Sequence, residues 1–156
     1  MATRGEREVR GVLEAHGVRG EIRSFAESTR NAGLAARELG VELGQIANTI
    51  LLLVDRAPVV VVISGDRRID FRKVKALRGA KKVRLAGPEE VAAHTGFAVG
   101  AVSPLALPAG IPIYLDVSLR RHEAIFPSAG ETNNMFRTTP RELSELTGGE
   151  DADLAG

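Results

Sequence analysis

The chain has 156 residues, of which 44% are hydrophobic, and this is enough for one domain with its own core but not for two. It contains no cysteine, so disulfides, thiolate metal sites and cysteine nucleophiles are excluded. Its apolar runs are too short to span a membrane, and its charged beginning is unlike a signal peptide. We therefore expect one globular, cytoplasmic domain.

The first part of the chain predicts two helices, a short strand and a hairpin. A helix is expected over residues 4–15 and a strand over 21–25, and a second helix capped by Ser28 or Thr29 should end before Gly40. Two strands rich in Val, Ile and Leu follow over 49–54 and 59–63, and the short segment between them indicates a hairpin.

The rest of the chain mixes helices, brief strands and one long ordered loop at residues 97–110. Helices are expected over residues 70–79, 88–95 and 140–146. Strands are expected over residues 82–85, 111–116, 123–127 and 134–138. Phe71, Val74 and Leu77 should face inward. This order predicts an α+β fold, with helices flanking one mixed, partly barrel-like sheet, as a domain over residues 1–149 and a disordered acidic tail over 150–156.

The net charge of +1 conceals a basic segment at residues 67–84. It contains nine basic residues and one acid, Asp70. A solvated helix face is the usual explanation of such a run, but contact with the phosphates of a nucleic acid is the alternative that we favour. The candidate contacts are Arg67, Arg68, Arg72, Lys73, Lys75 and Arg78.

Several common kinds of site are not indicated. The three histidines, His16, His94 and His122, lack the spacing of metal ligands, and there is no phosphate-binding P-loop or nucleophile elbow. We expect no metal and no cofactor. What remains is a set of loops that could line one pocket, namely residues 46–49, 100–104, Asp116 and 128–130.

Gly100 and Pro104 form a GxxxP loop, and other pieces accompany it in order along the chain. These pieces are Ser28-Thr29-Arg30, Leu39-Gly40-Val41, Gln45-Ile46, residues 64–70, residues 88–91, Thr95-Gly96-Phe97 and Tyr114-Leu115-Asp116. Together they resemble the YbaK/prolyl-tRNA-synthetase-associated editing domains, which are deacylases of misacylated tRNA, over about residues 5–147. The resemblance implies misacylated tRNA as a partner and an aminoacyl-tRNA synthetase as a second candidate partner.

The resemblance also implies roles for the loop residues. The position of Asn48 usually holds a lysine that contacts the aminoacyl-tRNA terminus, so this chain departs from its relatives there. The amides of Ala101, Val102 and Ser103, held between Gly100 and Pro104, would polarise the ester carbonyl. A water or the terminal ribose hydroxyl would assist cleavage, and pocket size would select small amino acids. The implied substrate-binding residues are Ile46, Thr49, Asp116, Ser128, Ala129 and Gly130.

Simpler roles remain open for these residues. Asn48 could cap a turn, Gly100 and Pro104 could only shape their loop, and Asp116 and Ser128 could be turn formers. Three functions therefore stand as hypotheses. The leading one is a free-standing deacylase that edits in trans, since synthetase motifs are absent. The others are a tRNA-binding relative impaired by Asn48 and a small-molecule hydrolase or binder.

Overall fold

The computed structural model describes residues 2–18, 21–26 and 31–156. Within these residues the helices are α1 (Glu6–Ala15), α2 (Ala32–Leu39), α3 (Phe71–Arg78), α4 (Pro88–Thr95) and α5 (Pro140–Thr147). The strands are β1 (Ile22–Ser24), β2 (Ile46–Val54), β3 (Ala57–Ser64), β4 (Val83–Leu85), β5 (Ile113–Asp116), β6 (Phe126–Pro127), β7 (Asn134–Phe136) and β8 (Glu150–Ala152). Short 3-10 segments cover Leu43–Gln45 and Val117–Arg121. None of the helices in these ranges is long and apolar enough to cross a membrane.

The predicted hairpin is the centre of the fold. β2 and β3 pair antiparallel along their whole length, from Ala47 opposite Ser64 to Val54 opposite Ala57. The two turn residues, Asp55 and Arg56, both have positive φ, at 47° and 71°. Such a turn matches the twist of the flanking strands, and this explains how a hairpin can close over two residues that are not glycine.

The main sheet is mixed, as predicted, and it is open. Its order is β4-β2-β3-β5-β8, and β6 pairs with β2 outside this path. β3, β5 and β8 run parallel, whereas β2 is antiparallel to β3 and β4. The predicted α+β fold is confirmed, but the partly barrel-like closure is not observed because β4 and β8 remain edges. β1 and β7 form a separate two-stranded sheet.

Helices cover both faces of the main sheet. On one face, Val9 of α1 and Leu143 of α5 pack with Phe97 of the long loop. On the other face, Val74 of α3 packs against β3 and β5. The prediction that Leu77 faces inward is wrong, since its side chain is 47% exposed. Val74 is the buried residue of this helix, and Arg78 is exposed as well, although its guanidinium donates a hydrogen bond to the Tyr114 hydroxyl at 2.9 Å.

Helix ends follow the expected chemistry where they can be described. The predicted caps Ser28 and Thr29 lie outside the described residues, and the N-cap of α2 is Asn31, whose side chain accepts from Gly33 N–H at 2.7 Å. Gly40 ends this helix in the left-handed region, as predicted. The residues before α5 form only half of a capping box. Thr139 accepts from Glu142 N–H, whereas the Glu142 carboxylate accepts from the Thr138 hydroxyl.

The acidic tail is ordered, contrary to the prediction. Residues 150–152 form β8, which pairs in parallel with β5. Leu154 is 1% exposed, and its N–H donates to the Asp116 carboxylate at 2.7 Å. Composition suggested disorder because the side chains are acidic, but the main chain supplies the pairing and one leucine supplies the apolar anchor.

Candidate functional site

One edge of β2 is left uncovered in the middle. β4 pairs with residues 52–54 and β6 pairs with residues 46–47 of this strand, so residues 48–50 lie in a gap between them. A cavity of about 230 Å³ opens at this gap. It is lined by Ala32, Ala47, Asn48, Thr49, Ile50, Gly100, Val102, Ser128 and Met135. The cavity is therefore built from the sheet edge, α2, the long loop and the segment around β7.

The structure brings five of the predicted site residues together. Asn48, Thr49, Gly100, Val102 and Ser128 all line the cavity. Their elements are far apart in the sequence, so their convergence supports the predicted pocket. The predicted residues that do not line the cavity are Ile46, Ala101, Ser103, Pro104, Asp116, Ala129 and Gly130.

Asp116 is a structural residue. It is 1% exposed, and one carboxylate oxygen accepts from Ser118 N–H at 3.0 Å while the other accepts from Leu154 N–H at 2.7 Å. The carboxylate thus starts the second 3-10 segment and holds the end of the chain. The turn-forming role is therefore observed, and Asp116 does not line the cavity, while the expected substrate contact stays a prediction.

Three other residues support the site from behind. Ile46 is fully buried against α2, and Ala129 is fully buried in the core next to the long loop. Gly130 has φ of 101°, and a Cβ there would lie 2.5 Å from the carbonyl carbon of Gly5. Only glycine fits this close approach, so Gly130 fixes the segment that carries Ser128.

The GxxxP loop is rigid and offers two free amides. Gly100 takes a positive φ of 81°, and Pro104 is buried. Ala101 N–H already donates to Ala98 O at 2.9 Å, so this amide is unavailable to a ligand. Among the described residues, the N–H groups of Val102 and Ser103 have no partner. Buried amides are normally paired, so two unpaired ones beside a cavity are candidate ligand donors.

The side chains of the loop and its neighbour explain this rigidity. The Ser103 hydroxyl, fully buried, accepts from Leu105 N–H at 3.2 Å. The Ser128 hydroxyl lies 3.3 Å from Ala101 O, to which it donates, and it accepts from Gly130 N–H at 3.1 Å. Ser128 thus ties two walls of the cavity together as well as lining it.

Asn48 and Thr49 present unused hydrogen-bonding groups. Successive residues of a strand point to opposite faces, so these side chains approach the cavity from the two sides of the sheet edge. The Asn48 amide is half-buried and makes no hydrogen bond to any described residue, so the turn-capping role is not observed. The Thr49 hydroxyl is buried and likewise lacks a partner in the described ranges.

The described lining of the cavity carries no charged side chain. No lysine, arginine, histidine or acid is among its lining residues in the part of the chain that the structure describes. Its polar groups are the Asn48 side-chain amide, the Thr49 and Ser128 hydroxyls and the main-chain amide of Val102. Such neutral donors suit a carbonyl or a developing oxyanion, and their fixed positions mean that little reorganisation is needed.

Three lining residues were missed by sequence reasoning, namely Ala32, Ile50 and Met135, whereas Ala47 lies in the predicted segment of residues 46–49. Ala32 was predicted only as part of the second helix, and Met135 only as part of a strand. Their small size and flexibility give no local signal of a pocket. They become lining residues only because α2 and β7 meet over the edge of β2.

The predicted tRNA-binding residues lie on α3 and just before it, and four of the six already have partners. Arg67 pairs with Asp66, Arg72 pairs with Asp70, Lys73 pairs with Asp153, and Arg78 bonds to Tyr114. Arg68 and Lys75 make no ion pair within the described residues. The assignment of this whole segment to tRNA remains a prediction, and exposed pairs of this kind are weak enough to exchange partners.

The chain folds as an α+β domain, and its cavity at the sheet edge is lined by hydrogen-bond donors without charged side chains in the described residues. These two features indicate a small binding or hydrolytic domain. The model of the aminoacyl-tRNA editing domain matches residues 26–146, and the chain belongs to this family.

Relatives and solved structures agree with this assignment. The EbsC protein of Enterococcus faecalis, named a "putative Cys-tRNA(Pro)/Cys-tRNA(Cys) deacylase", is 30% identical over 84% of this chain and 80% of its own length. The YwhH protein of Bacillus subtilis is 34% identical over 81% of each chain. A crystal structure of a "putative trans-editing enzyme for prolyl tRNA synthetase" superposes with a TM-score of 0.90 at 36% identity, over 97% of this chain and 96% of that one.

Proposed function

We propose that this protein hydrolyses the ester of misacylated tRNA carrying a small amino acid, and that it does so in trans and in the cytoplasm. The main supporting observation is the cavity of about 230 Å³, where the Thr49 hydroxyl and the Val102 amide lack partners among the described residues. The amide of Ser103, the next residue after Val102, is likewise unpaired within these residues. Unpaired buried polar groups cost stability, so their concentration at one cavity is explained by a ligand that pairs with them.

The arrangement suits cleavage without a protein nucleophile. The ester carbonyl would accept from the Val102 and Ser103 amides, which stabilise the negative charge that develops on its oxygen. A water, oriented by the Thr49 hydroxyl or the terminal ribose, adds to the carbonyl carbon. The bond between that carbon and the ribose oxygen then breaks, the ribose oxygen takes the proton that the attacking water gives up, and the free amino acid leaves.

Asn48 supplies a neutral donor in place of the usual lysine. Its amide lies at the cavity, where it can donate to the carbonyl or to the ribose, but it cannot contribute a full positive charge. No observation favours the alternative of an impaired tRNA-binding relative, which depends on this substitution alone.

The size of the cavity limits the substrate. About 230 Å³ is below the range of about 300–1,000 Å³ that is usual for drug-sized ligands. Ile50 and Met135 bound the space, and Ala32 keeps one wall shallow. Small side chains should therefore enter, whereas larger ones should be excluded, as in editing by a size sieve.

The test is deacylation of tRNAs that carry labelled alanine, cysteine, serine or threonine. The name of EbsC makes Cys-tRNA(Pro) a sensible first substrate. We expect release of at least one amino acid to be faster with the protein than without it. Absence of acceleration for all four would reject the proposal, and faster release in the presence of a prolyl-tRNA synthetase would support such an enzyme as a partner.

A further inference from the structure

A second cavity lies at the other end of β2, beside the turn of the hairpin. Its volume is about 720 Å³, and we call it the basic groove. It is lined by Leu53, Asp55, Arg56, Lys75, Lys81, Lys82, Val83 and Arg84. Five of these eight residues are cationic and one is acidic, so the groove should attract anions.

Most of these cations are unpaired. Within the described residues, the side chains of Arg56, Lys75, Lys81 and Lys82 make no ion pair and no hydrogen bond. Arg84 is the exception, since it binds Glu90 through two hydrogen bonds of 2.7 and 2.8 Å. The four free cations contrast with the α3 residues Lys73 and Arg78, which are held by intramolecular contacts.

The main chain of the groove is fixed in place. The Asp55 carboxylate accepts from Lys81 N–H at 3.0 Å and from Lys82 N–H at 2.8 Å, while Asp55 N–H donates to Lys82 O at 2.8 Å. These bonds join the hairpin turn to the segment before β4. The one acid of the groove is therefore occupied by main-chain donors, and the main chain that carries the two lysines is fixed beside the turn.

The groove and the donor-lined cavity lie along the same strand. The cavity begins at Asn48 and the groove centres on Asp55, so a rise of about 3.3 Å per residue separates them by roughly 20 Å. β4, which forms part of the groove, pairs with the same edge of β2 that opens at the cavity. A ligand that occupies both sites must be long and must carry negative charge away from its reacting end.

We propose that the basic groove binds backbone phosphates of the double-stranded acceptor stem while the aminoacylated 3′ end of the same tRNA enters the cavity. This inference rests on the proposed function. Arg56, Lys75, Lys81 and Lys82 neutralise phosphates without reading bases, so the groove contributes affinity and orientation but not sequence selection. Contact then extends beyond the six residues that the sequence indicated, to the hairpin turn and the segment before β4.

The test compares a groove variant with a control of equal charge. The groove variant is Lys81→Gln with Lys82→Gln, which leaves the main-chain bonds to Asp55 in place. The control is Arg7→Gln with Arg141→Gln, because both arginines are exposed and their helices pack on the opposite face from α3. We expect tRNA affinity to fall about tenfold in the groove variant. The slope of log K against the logarithm of the salt concentration should become less steep by about 2. The control should keep both values close to wild type.

Two further measurements separate the possible failures. The groove variant should lose more kcat/KM on full-length aminoacyl-tRNA than on a short aminoacylated 3′-terminal oligonucleotide. A blunt RNA duplex should compete with tRNA, whereas inorganic phosphate should act no more strongly than chloride of equal ionic strength. Specific displacement by phosphate would overturn the proposal in favour of a free-anion site.

The outcomes distinguish the groove from the proposed function. A wild-type protein that deacylates tRNA, together with a groove variant of unchanged affinity and salt dependence, would overturn the groove alone. A wild-type protein that deacylates no misacylated tRNA would overturn both proposals. Equal losses in the groove variant and the control would also overturn the groove, because net charge would then explain the effect.

Discussion

At the scale of single residues, the Thr49 hydroxyl should have opposite effects on stability and on activity. It is buried at the cavity without a partner in the described ranges, so it costs the folded protein free energy. Thr49→Val should raise the free energy of unfolding by about 1 kcal/mol and lower deacylation of tRNA. Urea denaturation and a deacylation assay on the same preparation measure the two effects.

Thr95→Val is the matched control for this change. The Thr95 hydroxyl is also buried, but it donates to Val91 O at 2.6 Å and accepts from Phe97 N–H at 3.1 Å. Its removal leaves a buried amide unpaired, so the same substitution should destabilise the protein by about 1–3 kcal/mol. If both substitutions change the free energy of unfolding by the same amount, the view that the Thr49 hydroxyl serves a ligand would be contradicted.

Asn48 provides the second prediction at this scale. Asn48→Ala removes a neutral donor from the cavity and should lower kcat/KM for misacylated tRNA by about tenfold, the value of one ordinary hydrogen bond. Asn48→Lys restores the residue expected from the resemblance and should keep or raise activity. Steady-state deacylation measures both variants, and an alanine variant as active as wild type would remove Asn48 from the mechanism.

At the scale of elements, the hairpin turn combines strain with charge. Arg56 has φ of 71°, which favours glycine, yet it carries a cation into the basic groove. Arg56→Gly should stabilise the protein by about 0.5–1 kcal/mol because the strain is relieved, while tRNA affinity should fall. Arg56→Gln is the control, since it removes the charge and keeps the strained backbone. Thermal denaturation measures the two variants, and a higher melting temperature for Arg56→Gln than for Arg56→Gly would refute this account.

The start of α4 gives a prediction about pH. Hydrogen bonds from Arg84, and then from Gly87 N–H, lower the pKa of Glu90 from 4.5 to about 2. An acid whose pKa is depressed by folding stabilises the folded state above its unfolded pKa. This contribution should be complete above about pH 4.5 and should be lost as pH falls towards 2. The difference in melting temperature between wild type and Glu90→Gln should shrink over that interval.

Elements were predictable where their signals are local. The hairpin, the Gly40 end of α2 and the Pro88 start of α4 each depend on a few adjacent residues, and the structure has all three. Leu77 was misplaced because its spacing from Val74 predicts a shared buried face, whereas Val74 is the buried residue of α3 and Leu77 is 47% exposed. β8 was missed because its partner, β5, lies far away in the sequence.

The site was predictable only in part, for the same reason. The resemblance located Asn48, Thr49 and the GxxxP loop, and the first two converge with Gly100 and Val102 of that loop on one cavity. It also suggested Asp116, which the structure assigns to the end of the chain. Whether a residue of a loop lines a cavity or supports it from behind depends on tertiary packing, which adjacent residues do not reveal.

At the scale of the whole molecule, the last residues of the chain hold the sheet together. Leu154 is 1% exposed and packs with Val74 and Tyr114. Leu154→Ala should lower the free energy of unfolding by about 2–4 kcal/mol through lost burial and a residual cavity. Leu77→Ala, on an exposed helix position, should cost less than about 1 kcal/mol. Urea denaturation of both variants measures the difference, and equal costs would contradict an anchoring role.

The parallel pairing of β8 with β5 also has a consequence for the timing of folding during synthesis. β5 has one side against β3, but its other side stays uncovered until residues 150–152 have left the ribosome. We expect the hairpin of β2 and β3 to form early, because its partners are adjacent, while the edge of β5 remains open to unwanted strand pairing. A nascent chain stalled before residue 150 should therefore be more sensitive to proteases and chaperones than one stalled well beyond residue 156.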